Sequence, residues 1–524
     1  MSPFLSFTHV SFTLPDGRTV LEDVTFGLGP GRHGIVGANG SGKSTLLRLA
    51  TGALRPTAGA VAVHGRLAHL PQDLTSRPGA TVADLLDVRS TLDALAAIEA
   101  GSVDPNHFDA VGDDWDLPER ITARLEAAGL AAVALDRPVS SLSGGERVLL
   151  ALTARLLRRP DVLLLDEPTN NLDAPTQRRV ADLVSEFGGV LVVVSHDRRL
   201  LERMDQIGEV RDTAVRWYSG SLSDYEAAVE HEQQLARQAV STARAHVRRQ
   251  HRELIEQQTK QARRDRQGRG KADGLPRIVA NEYRRRAQVT AGRVRAIHED
   301  RLEESRAALE QAKEQLRDDR GIHVDLPETE VPTRRRVLRA AGLVPAHGTS
   351  RPLDLDVRGP ERIAVVGPNG AGKTSLLRAI LGLEEPRRGS AEVFVPWRYL
   401  PQDVDLLTAD RSVLDNVRRV APGRTPGDVR AKLARFGFRG DAVDQSVRTL
   451  SGGERWRATL AALVLATPAP QLLVLDEPTN NLDLASLDRL VEALGSHRGA
   501  LLVVSHDERF LSDLDLDRRI AVDR

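Results

Sequence analysis

Two segments of the sequence combine glycine, lysine and hydroxyl residues in a spacing that binds phosphate. GANGSGKST begins at Gly37 and GPNGAGKTS begins at Gly367, and both fit G-x-x-x-x-G-K-[ST]. Glycines let backbone N–H groups close around phosphates, while the lysine reaches the outer phosphates and the next hydroxyl suits Mg²⁺. An apolar run precedes each motif and a helix-forming run follows it, as the motif requires. The sequence therefore predicts two nucleoside triphosphate sites.

All nine residues of each loop are predicted to bind nucleotide, and Ser44 and Thr374 are predicted to coordinate Mg²⁺ as well. The first loop contains Gly37, Ala38, Asn39, Gly40, Ser41, Gly42, Lys43, Ser44 and Thr45. The second loop contains Gly367, Pro368, Asn369, Gly370, Ala371, Gly372, Lys373, Thr374 and Ser375.

Two apolar runs, DVLLLDE and QLLVLDE, each end in a pair of carboxylates. A buried parallel strand has this composition, and ligands gather at the carboxyl end of such strands. We expect Asp166 and Asp476 to hold Mg²⁺ directly or through water. We expect Glu167 and Glu477 to polarise the attacking water. A capping acid pair is the alternative, which the upstream lysine loops make less plausible.

Histidine and glutamine complete each predicted catalytic set. His196 and His506 follow apolar strands, in GVLVVVSHD and GALLVVSHD. A single histidine is usually structural, but its repetition at a strand end favours contact with the γ-phosphate. Gln72 and Gln402 occupy the repeated LPQD, where an amide can sense both the metal and the water.

A second anion-binding element, LSGGE, occurs in both halves of the chain. A Ser–Gly–Gly turn that opens a helix presents free amides and the positive end of the helix dipole. One loop already holds the phosphates, so a second cradle is useful if it closes on the γ-phosphate from the other side. The predicted residues are Ser143, Gly144, Gly145, Glu146, Ser451, Gly452, Gly453 and Glu454.

The positions of the repeated motifs divide the chain into domains. Lys43 and Lys373 are 330 positions apart, whereas Ser143 and Ser451 are 308 apart, so the first copy holds 22 extra residues between LPQD and LSGGE. We predict a first nucleotide-binding domain at 1–220, with this insertion within about 81–128. A linker at 221–332 and a second nucleotide-binding domain at 333–524 follow.

The predicted linker is helical and basic. Residues 224–267 are rich in Ala, Glu, Gln and Arg, and a second such run spans about 281–320. Glycines and a proline cluster between these runs, at 268–276, which predicts a helical hairpin with its tip at about 268–278. Residues 241–296 contain 16 Arg or Lys against 5 Asp or Glu. Such a run is either a solvated spacer or a surface for a phosphate backbone.

The overall composition excludes several classes of protein. The hydrophobic share of 41% supports packed cores, and the absence of cysteine excludes disulfides and thiolate metal sites. The sequence contains no recognisable signal peptide and no apolar run long enough to span a bilayer. A cytoplasmic, soluble protein without a membrane segment is therefore expected.

Together these motifs resemble the nucleotide-binding domains of ATP-binding cassette (ABC) proteins. The resemblance implies an α/β fold with two ABC-type P-loop domains joined by a long α-helical hairpin linker. It implies ATP as the substrate, Mg²⁺ as the cofactor and hydrolysis to ADP and phosphate. In that family two cassettes pack head to tail. Each phosphate loop would therefore face the LSGGE of the other half, within one monomeric chain.

The charged linker and the insertion in the first cassette resemble one subfamily, ABC-F. That resemblance implies a protein that binds the ribosome through the linker, with rRNA and, as a further candidate, tRNA as contacts. Its members act as translation factors or as ribosome-protection factors in antibiotic resistance. The alternative function is the ATPase component of a membrane exporter with separate transmembrane subunits, and a DNA-associated or structural ATPase is a third reading.

The usual place of an adenine-stacking aromatic residue departs from the family pattern. The first copy has Leu14 there, with Phe12 two residues earlier, and no Phe, Tyr or Trp precedes the second loop in AAGLVPAHGTSRPLDLDV. Relaxed use of GTP, above all at the second site, is the resulting hypothesis.

Overall fold

A computed structural model describes most of the chain. The described residues are 4–74, 79–272, 296–297, 300–313, 326–402, 406–450, 452–480 and 482–523. The chain folds into two compact units, of which Met1–Asp224 and Gly321–Arg524 form one and Tyr225–Arg320 forms the other. Both copies of the repeated motifs belong to the first unit.

The first cassette contains two sheets and eight helices among the described residues. Its strands are β1 (Phe4–Thr13), β2 (Thr19–Leu28), β3 (Gly31–Gly37), β4 (Ala58–His64), β5 (Leu67–Leu70), β6 (Val162–Asp166), β7 (Val190–Val194), β8 (Gln206–Arg211) and β9 (Ala214–Ser219). Its helices are α1 (Lys43–Ala50), α2 (Val82–Leu86), α3 (Arg89–Glu99), α4 (Pro105–Val111), α5 (Leu117–Ala127), α6 (Gly144–Leu157), α7 (Ala174–Ser185) and α8 (Arg198–Leu201).

The central sheet of this cassette has the order β5-β6-β7-β3-β8-β9, in which the first five strands run parallel. Every residue of β6 and β7 is buried, which explains why both strands are unbroken apolar runs. A smaller antiparallel sheet, β2-β1-β4, packs against the other side of α1. The carboxyl ends of β3, β6 and β7 meet at one edge, so the phosphate loop, the carboxylates and His196 emerge together.

The second cassette repeats this design. Its strands are β10 (Arg336–Val344), β11 (Leu353–Arg358), β12 (Arg362–Val366), β13 (Arg388–Val393), β14 (Trp397–Leu400), β15 (Leu472–Asp476), β16 (Ala500–Val504) and β17 (Arg518–Ala521). Its helices are α11 (Lys373–Ile380), α12 (Val413–Val420), α13 (Pro426–Leu433), α14 (Gly452–Val464), α15 (Leu484–Gly495) and α16 (Glu508–Asp513). The sheet orders are β14-β15-β16-β12-β17 and β11-β10-β13. The predicted fold class, two α/β cassettes with a helical linker, is confirmed.

Helices α3 and α4, called the arm below, lie in the region that holds the extra residues of the first cassette. Four helices, α2 to α5, occupy the region where the second cassette has α12 and α13. Helices α3 and α4 pack on each other around their own small core of Ala94, Leu95 and Val111. Two aromatic side chains, Phe108 on α4 and Trp115 between α4 and α5, are exposed, with ring centroids 6.1 Å apart.

The linker begins with one long helix, α9 (Leu222–Ala272), and a second helical segment, α10, spans 300–313. Ser305 Oγ lies 3.0 Å from His246 Nδ1, so α10 packs along α9. The expected turn at 268–276 is wrong at its start, because α9 continues through Gly268 and Gly270. Each glycine costs a helix only about 1 kcal/mol, which the favourable Gln, Arg and Lys neighbours offset. The rest of the predicted tip and much of the second run lie outside the described residues.

Candidate functional site

The first phosphate loop is closed around its own lysine. Gly42 caps α1 with φ 109°, and a Cβ at this position would lie 2.6 Å from Val20 Cγ1. Lys43 Nζ donates to the carbonyls of Gly37 at 2.7 Å and Ala38 at 3.0 Å. Burial lowers the pKa of Lys43, and the Glu167 charge opposes that shift. The ammonium group thus lies where outer phosphates would replace carbonyl oxygens as its partners.

The second phosphate loop has the same geometry with one added contact. Lys373 Nζ donates to Gly367 O at 2.9 Å and Pro368 O at 3.3 Å. It also lies 2.9 Å from His506 Nε2. Gly372 has φ 91°, and a Cβ there would lie 2.2 Å from His347 O, so only glycine fits beneath the preceding chain.

The hydroxyl residue of each loop lies beside the aspartate that ends the neighbouring strand. Ser44 Oγ donates to Asp166 Oδ1 at 3.2 Å, and Thr374 hydrogen-bonds to Asp476. Burial raises the pKa of both aspartates. Asp476 Oδ1 is buried without a hydrogen-bond partner, so this carboxylate has a free acceptor directed into the site.

The glutamates that follow these aspartates adopt a strained backbone. Glu167 has φ 50° and Glu477 has φ 49°, a region that non-glycine residues rarely enter. Their N–H groups still donate to Val194 O and Val504 O, both at 2.8 Å, which extends the pairing of the parallel sheets by one residue. The positive φ therefore turns the side chain at the sheet edge without loss of the backbone bond. Burial raises the pKa of each carboxyl to about 7.

The two histidines lie against these glutamates but differ in their partners. His196 Nε2 is 3.3 Å from Glu167 Oε1, and neither of its ring nitrogens has a hydrogen bond of good geometry. His506 Nε2 is 3.1 Å from Glu477 Oε1 and 3.1 Å from Asn369 Oδ1. Burial lowers the pKa of His196 to about 3 and that of His506 to about 4. Both imidazoles are therefore neutral at physiological pH.

The cassettes face each other head to tail. Asn39 N–H, in the first phosphate loop, donates to Asp483 Oδ2 at 3.0 Å. Asn369 N–H, at the equivalent place in the second loop, donates to Asp173 Oδ2 at 3.3 Å. These reciprocal contacts relate the halves by an approximate two-fold axis. Each loop meets the segment that follows LDEP in the other cassette.

The two LSGGE motifs are placed differently. A Cβ at Gly452 would lie 3.7 Å from Asn39 Cβ, so the second motif borders the first phosphate loop. Gly453 and Glu454 belong to the first turn of α14, while Ser451 lies outside the described residues. In the first motif, Ser143 caps α6 through Glu146, and Gly144 and Gly145 form the first turn. A Cβ at Gly144, by contrast, would meet nothing within 4 Å, and the described residues of neither motif line a cavity.

A cavity marks each predicted site. The first, about 490 Å³, is lined by Lys43, Gln72, Glu167 and His196 together with Asn480 of the other cassette. The second, about 750 Å³, is lined by the residues Lys373, Gln402, Glu477, His506 and Asn171.

Three residues near the sites escaped the motif analysis. Tyr399 OH donates to Asp476 Oδ2 at 3.1 Å, and His69 occupies the equivalent position, where burial lowers its pKa. Both residues precede the LPQD glutamine by three positions, so the repeated spacing could have identified them. His347 lines the second cavity and lies in the segment before the second loop, where related cassettes carry an aromatic residue that stacks on adenine.

Comparison with known proteins agrees with this geometry. The family described as ABC transporter matches residues 21–170 and 350–480. The tylosin resistance ATP-binding protein TlrC of Streptomyces fradiae is 34% identical, across 95% of this chain and 93% of that protein. The energy-dependent translational throttle protein EttA of Mycobacterium tuberculosis is 31% identical, across 94% and 87%. ABC transporter F family member 2 of Arabidopsis thaliana is 29% identical, across 95% and 74%.

A solved structure supports the fold alone. The complex of an archaeal ribosomal stalk protein with the ribosome recycling factor aABCE1 matches with a TM-score of 0.53 at 20% identity, across 98% of this chain and 87% of that chain. Within the described residues, none of the helices combines the length and the apolar character that a membrane span needs.

Proposed function

Because the chain belongs to the ABC-F subfamily of ATP-binding cassette proteins, we propose that it is an ATPase that binds the ribosome and is switched by ATP-driven closure of its cassettes. Bound ATP stabilises the closed pair by contacts that the open pair lacks, and hydrolysis releases it. The observation that carries the ribosome-binding part is the charge distribution on α9.

The basic residues of α9 whose side chains the structure describes lie on one side of the helix. Between positions 244 and 263, six exposed basic side chains fall within an arc of about 160° at ~100° per residue, and the exposed Glu256 falls in the same arc. They are Arg244, Arg248, Arg249, Arg252, Lys260 and Arg263. The opposite side carries Val240, Val247 and Leu254, spaced by seven residues and buried or half-buried. A one-sided basic stripe on a neutral chain suits the phosphate backbone of rRNA.

In the first site, Lys43 and the amides of the loop bind the β- and γ-phosphates. Glu167, when ionised, accepts a hydrogen bond from the attacking water. Its pKa of about 7 lies near the working pH, which makes the carboxylate a stronger base than an ordinary glutamate. Neutral His196 directs a free ring nitrogen at the γ-phosphate. In the second site, the equivalent residues Lys373, Glu477 and His506 perform the same roles.

Mg²⁺ fits the donors at both sites. The described residues contain no group of three or more His, Cys, Asp or Glu side chains that could hold a metal ion, so phosphate oxygens and water would supply the other ligands. Ser44, Asp166 and Gln72 would hold the ion in the first site. Thr374, Asp476 and Gln402 would hold it in the second. When bound, the ion neutralises charge on the phosphates.

Co-sedimentation with purified bacterial ribosomes tests the ribosome proposal. The E167Q/E477Q chain retains ATP, and we expect it to pellet with ribosomes when ATP is present. Reversal of the stripe in R244E/R248E/R252E should weaken binding about tenfold or more and flatten its salt dependence. The matched control reverses three exposed arginines of the cassettes, R66E/R159E/R448E, at the same net charge. Equal binding by both triple variants would contradict the proposal.

A role in antibiotic resistance is the narrower candidate, and the similarity to a tylosin resistance protein favours it. Expression in a susceptible host should raise tolerance to tylosin or another macrolide, and E167Q/E477Q should not. If tolerance is unchanged while ribosome binding persists, a general translation role is the better description.

A further inference from the structure

One arginine of the first cassette is buried between two aspartates of the second. Arg198 opens α8 directly after His196 and Asp197, and its side chain is only 7% exposed. Its Nη2 lies 2.5 Å from Asp488 Oδ1 on α15, and its Nη1 lies 3.6 Å from Asp513 Oδ2 on α16. Both ion pairs of this buried guanidinium therefore cross from one cassette to the other. The same arginine borders the first nucleotide cavity.

The equivalent positions of the other cassette carry the opposite charges. A shift of 310 positions relates the two copies here, as it relates His196 to His506. Arg198 corresponds to Glu508, which likewise opens its helix. Asp488 and Asp513 correspond to Arg178 and Arg203. All three positions of the contact are thus inverted between the copies.

This inversion makes the contact specific to unlike cassettes. When the first cassette meets the second, opposite charges occupy the corresponding positions on both sides of the approximate two-fold axis. Two first cassettes would instead bring Arg198 against Arg178 and Arg203. Two second cassettes would bring Glu508 against Asp488 and Asp513. Like charges brought together around the buried Arg198 position oppose association, which is how charge pairs exclude wrong partners.

The mirror contact is not formed in this structure. Glu508 pairs with Arg519 of its own cassette at 2.7 Å, and Arg203 pairs with Asp182 of its own cassette at 2.7 Å. No ion pair joins Glu508 to Arg178 or Arg203, all of which belong to the described residues. Among the described residues, the ion pairs of this contact therefore lie only beside the first nucleotide site, where Arg198 borders the cavity.

We propose that Arg198, Asp488 and Asp513 form an ionic clasp that stabilises the closed pairing of the first cassette with the second beside the first nucleotide site. Arg198 acts as a positioning residue, since it follows His196 and ties that strand end to α15 and α16. The clasp rests on ATP-driven closure of the cassettes and is independent of ribosome binding, so a failure in co-sedimentation leaves it untouched.

Fluorescence transfer between the cassettes tests the clasp in the full chain. The protein has no cysteine, so D212C and E385C, both at exposed positions, give one dye site on each cassette. In the E167Q/E477Q background, R198E should raise the ATP concentration for half-maximal closure about tenfold or more. D488R alone should do the same, and R198E/D488R should restore closure to within about threefold of the parent.

The charge-swapped double variant decides between the clasp and a merely structural arginine. If R198E/D488R closes as poorly as R198E, the proposal is overturned. R159E is the matched control, because it makes the same charge change in an exposed ion pair inside the first cassette, and it should close normally. If R198E does not fold, D488N tests the clasp instead, because the Asp488 side chain is 69% exposed and its replacement should leave the fold intact. Normal closure by a folded D488N would equally overturn the clasp.

Discussion

Glu167 and Glu477 are held as buried carboxyls in a strained backbone, and both features follow from their place one residue beyond a buried strand. The next strand accepts the amide hydrogen, the positive φ turns the side chain into the cavity, and burial then raises the pKa to about 7. Strain at these residues is the cost of placing a base at the sheet edge.

The raised pKa predicts how stability depends on pH. Between the ordinary value of 4.5 and about 7 the folded glutamates bind more protons than the unfolded ones, so the free energy of unfolding falls as pH rises through this window. Glutamine cannot ionise. We therefore expect E167Q/E477Q to match the native chain near pH 4.5 and to exceed it at pH 8, by at most roughly 3 kcal/mol per site.

Urea unfolding of the nucleotide-free chains at both pH values measures this difference. Equal stabilities at pH 8 would show that burial does not raise the pKa of these carboxyls.

A second residue-scale prediction concerns the base of the nucleotide. The second cavity contains the His347 ring, which is 82% exposed on its side chain and lies 3.7 Å from Glu384, whereas the first is bordered by Leu14 and Arg18. Among the described residues that line the two cavities, there is no Phe, Tyr or Trp to stack on adenine. With the first site silenced by K43A, we expect GTP to compete with ATP within about tenfold. His347→Ala should weaken both nucleotides roughly fivefold, because the stacking surface is lost.

Competition against a fluorescent ATP analogue measures both effects. The K373A chain, in which the first site remains, is the matched comparison and should not respond to His347→Ala. A large preference for ATP at the second site would remove the hypothesis of relaxed base specificity.

At the scale of elements, the arm is a separable structure. Helices α3 and α4 enclose their own small core, so the cassette does not need them for its central sheet. Replacement of residues 90–112 by a short Gly-Ser linker should leave ATP hydrolysis within about twofold and the melting temperature within a few degrees. Ribosome co-sedimentation should weaken if the exposed Phe108 belongs to a contact surface.

The point variant F108D is the matched control for this deletion, since it alters the surface and leaves the arm in place. Loss of hydrolysis in the deletion, with F108D unaffected, would show that the arm supports the cassette instead.

Local elements were predictable from the sequence, and long-range pairs were not. Gly42, Lys43 and the apolar runs that precede Asp166 and Asp476 specify a strand–loop–helix and buried strands by composition and spacing alone. The course of α9 past Gly268 was missed, because two isolated glycines end a helix only where their neighbours also favour a turn. The Arg198 contacts were missed because their partners lie some 300 positions away, where no local pattern reaches.

At the scale of the whole molecule, the duplicated halves are unequal. Among the described residues, the ion pairs of Arg198 with Asp488 and Asp513 join the cassettes beside the first nucleotide site, and no equivalent ion pairs lie beside the second. A fastened site releases nucleotide more slowly than an open one. We therefore predict two phases when a fluorescent ATP analogue dissociates from the E167Q/E477Q chain, with the slow phase belonging to the first site.

Stopped-flow chase with excess ATP measures these phases. K43A should remove the slow phase and K373A the fast one. If the slow phase belonged to the second site instead, the Arg198 ion pairs beside the first site would not govern release of nucleotide.

The inverted charges between the cassettes also limit how the gene can change. Duplicated halves recombine, and a conversion that copied one half onto the other would bring like charges together where Arg198 now meets Asp488. Such an event would preserve every nucleotide-binding motif and remove the charge complementarity between the halves. If the clasp is needed for closure, the two halves are free to share their chemistry but not their charges at these three positions.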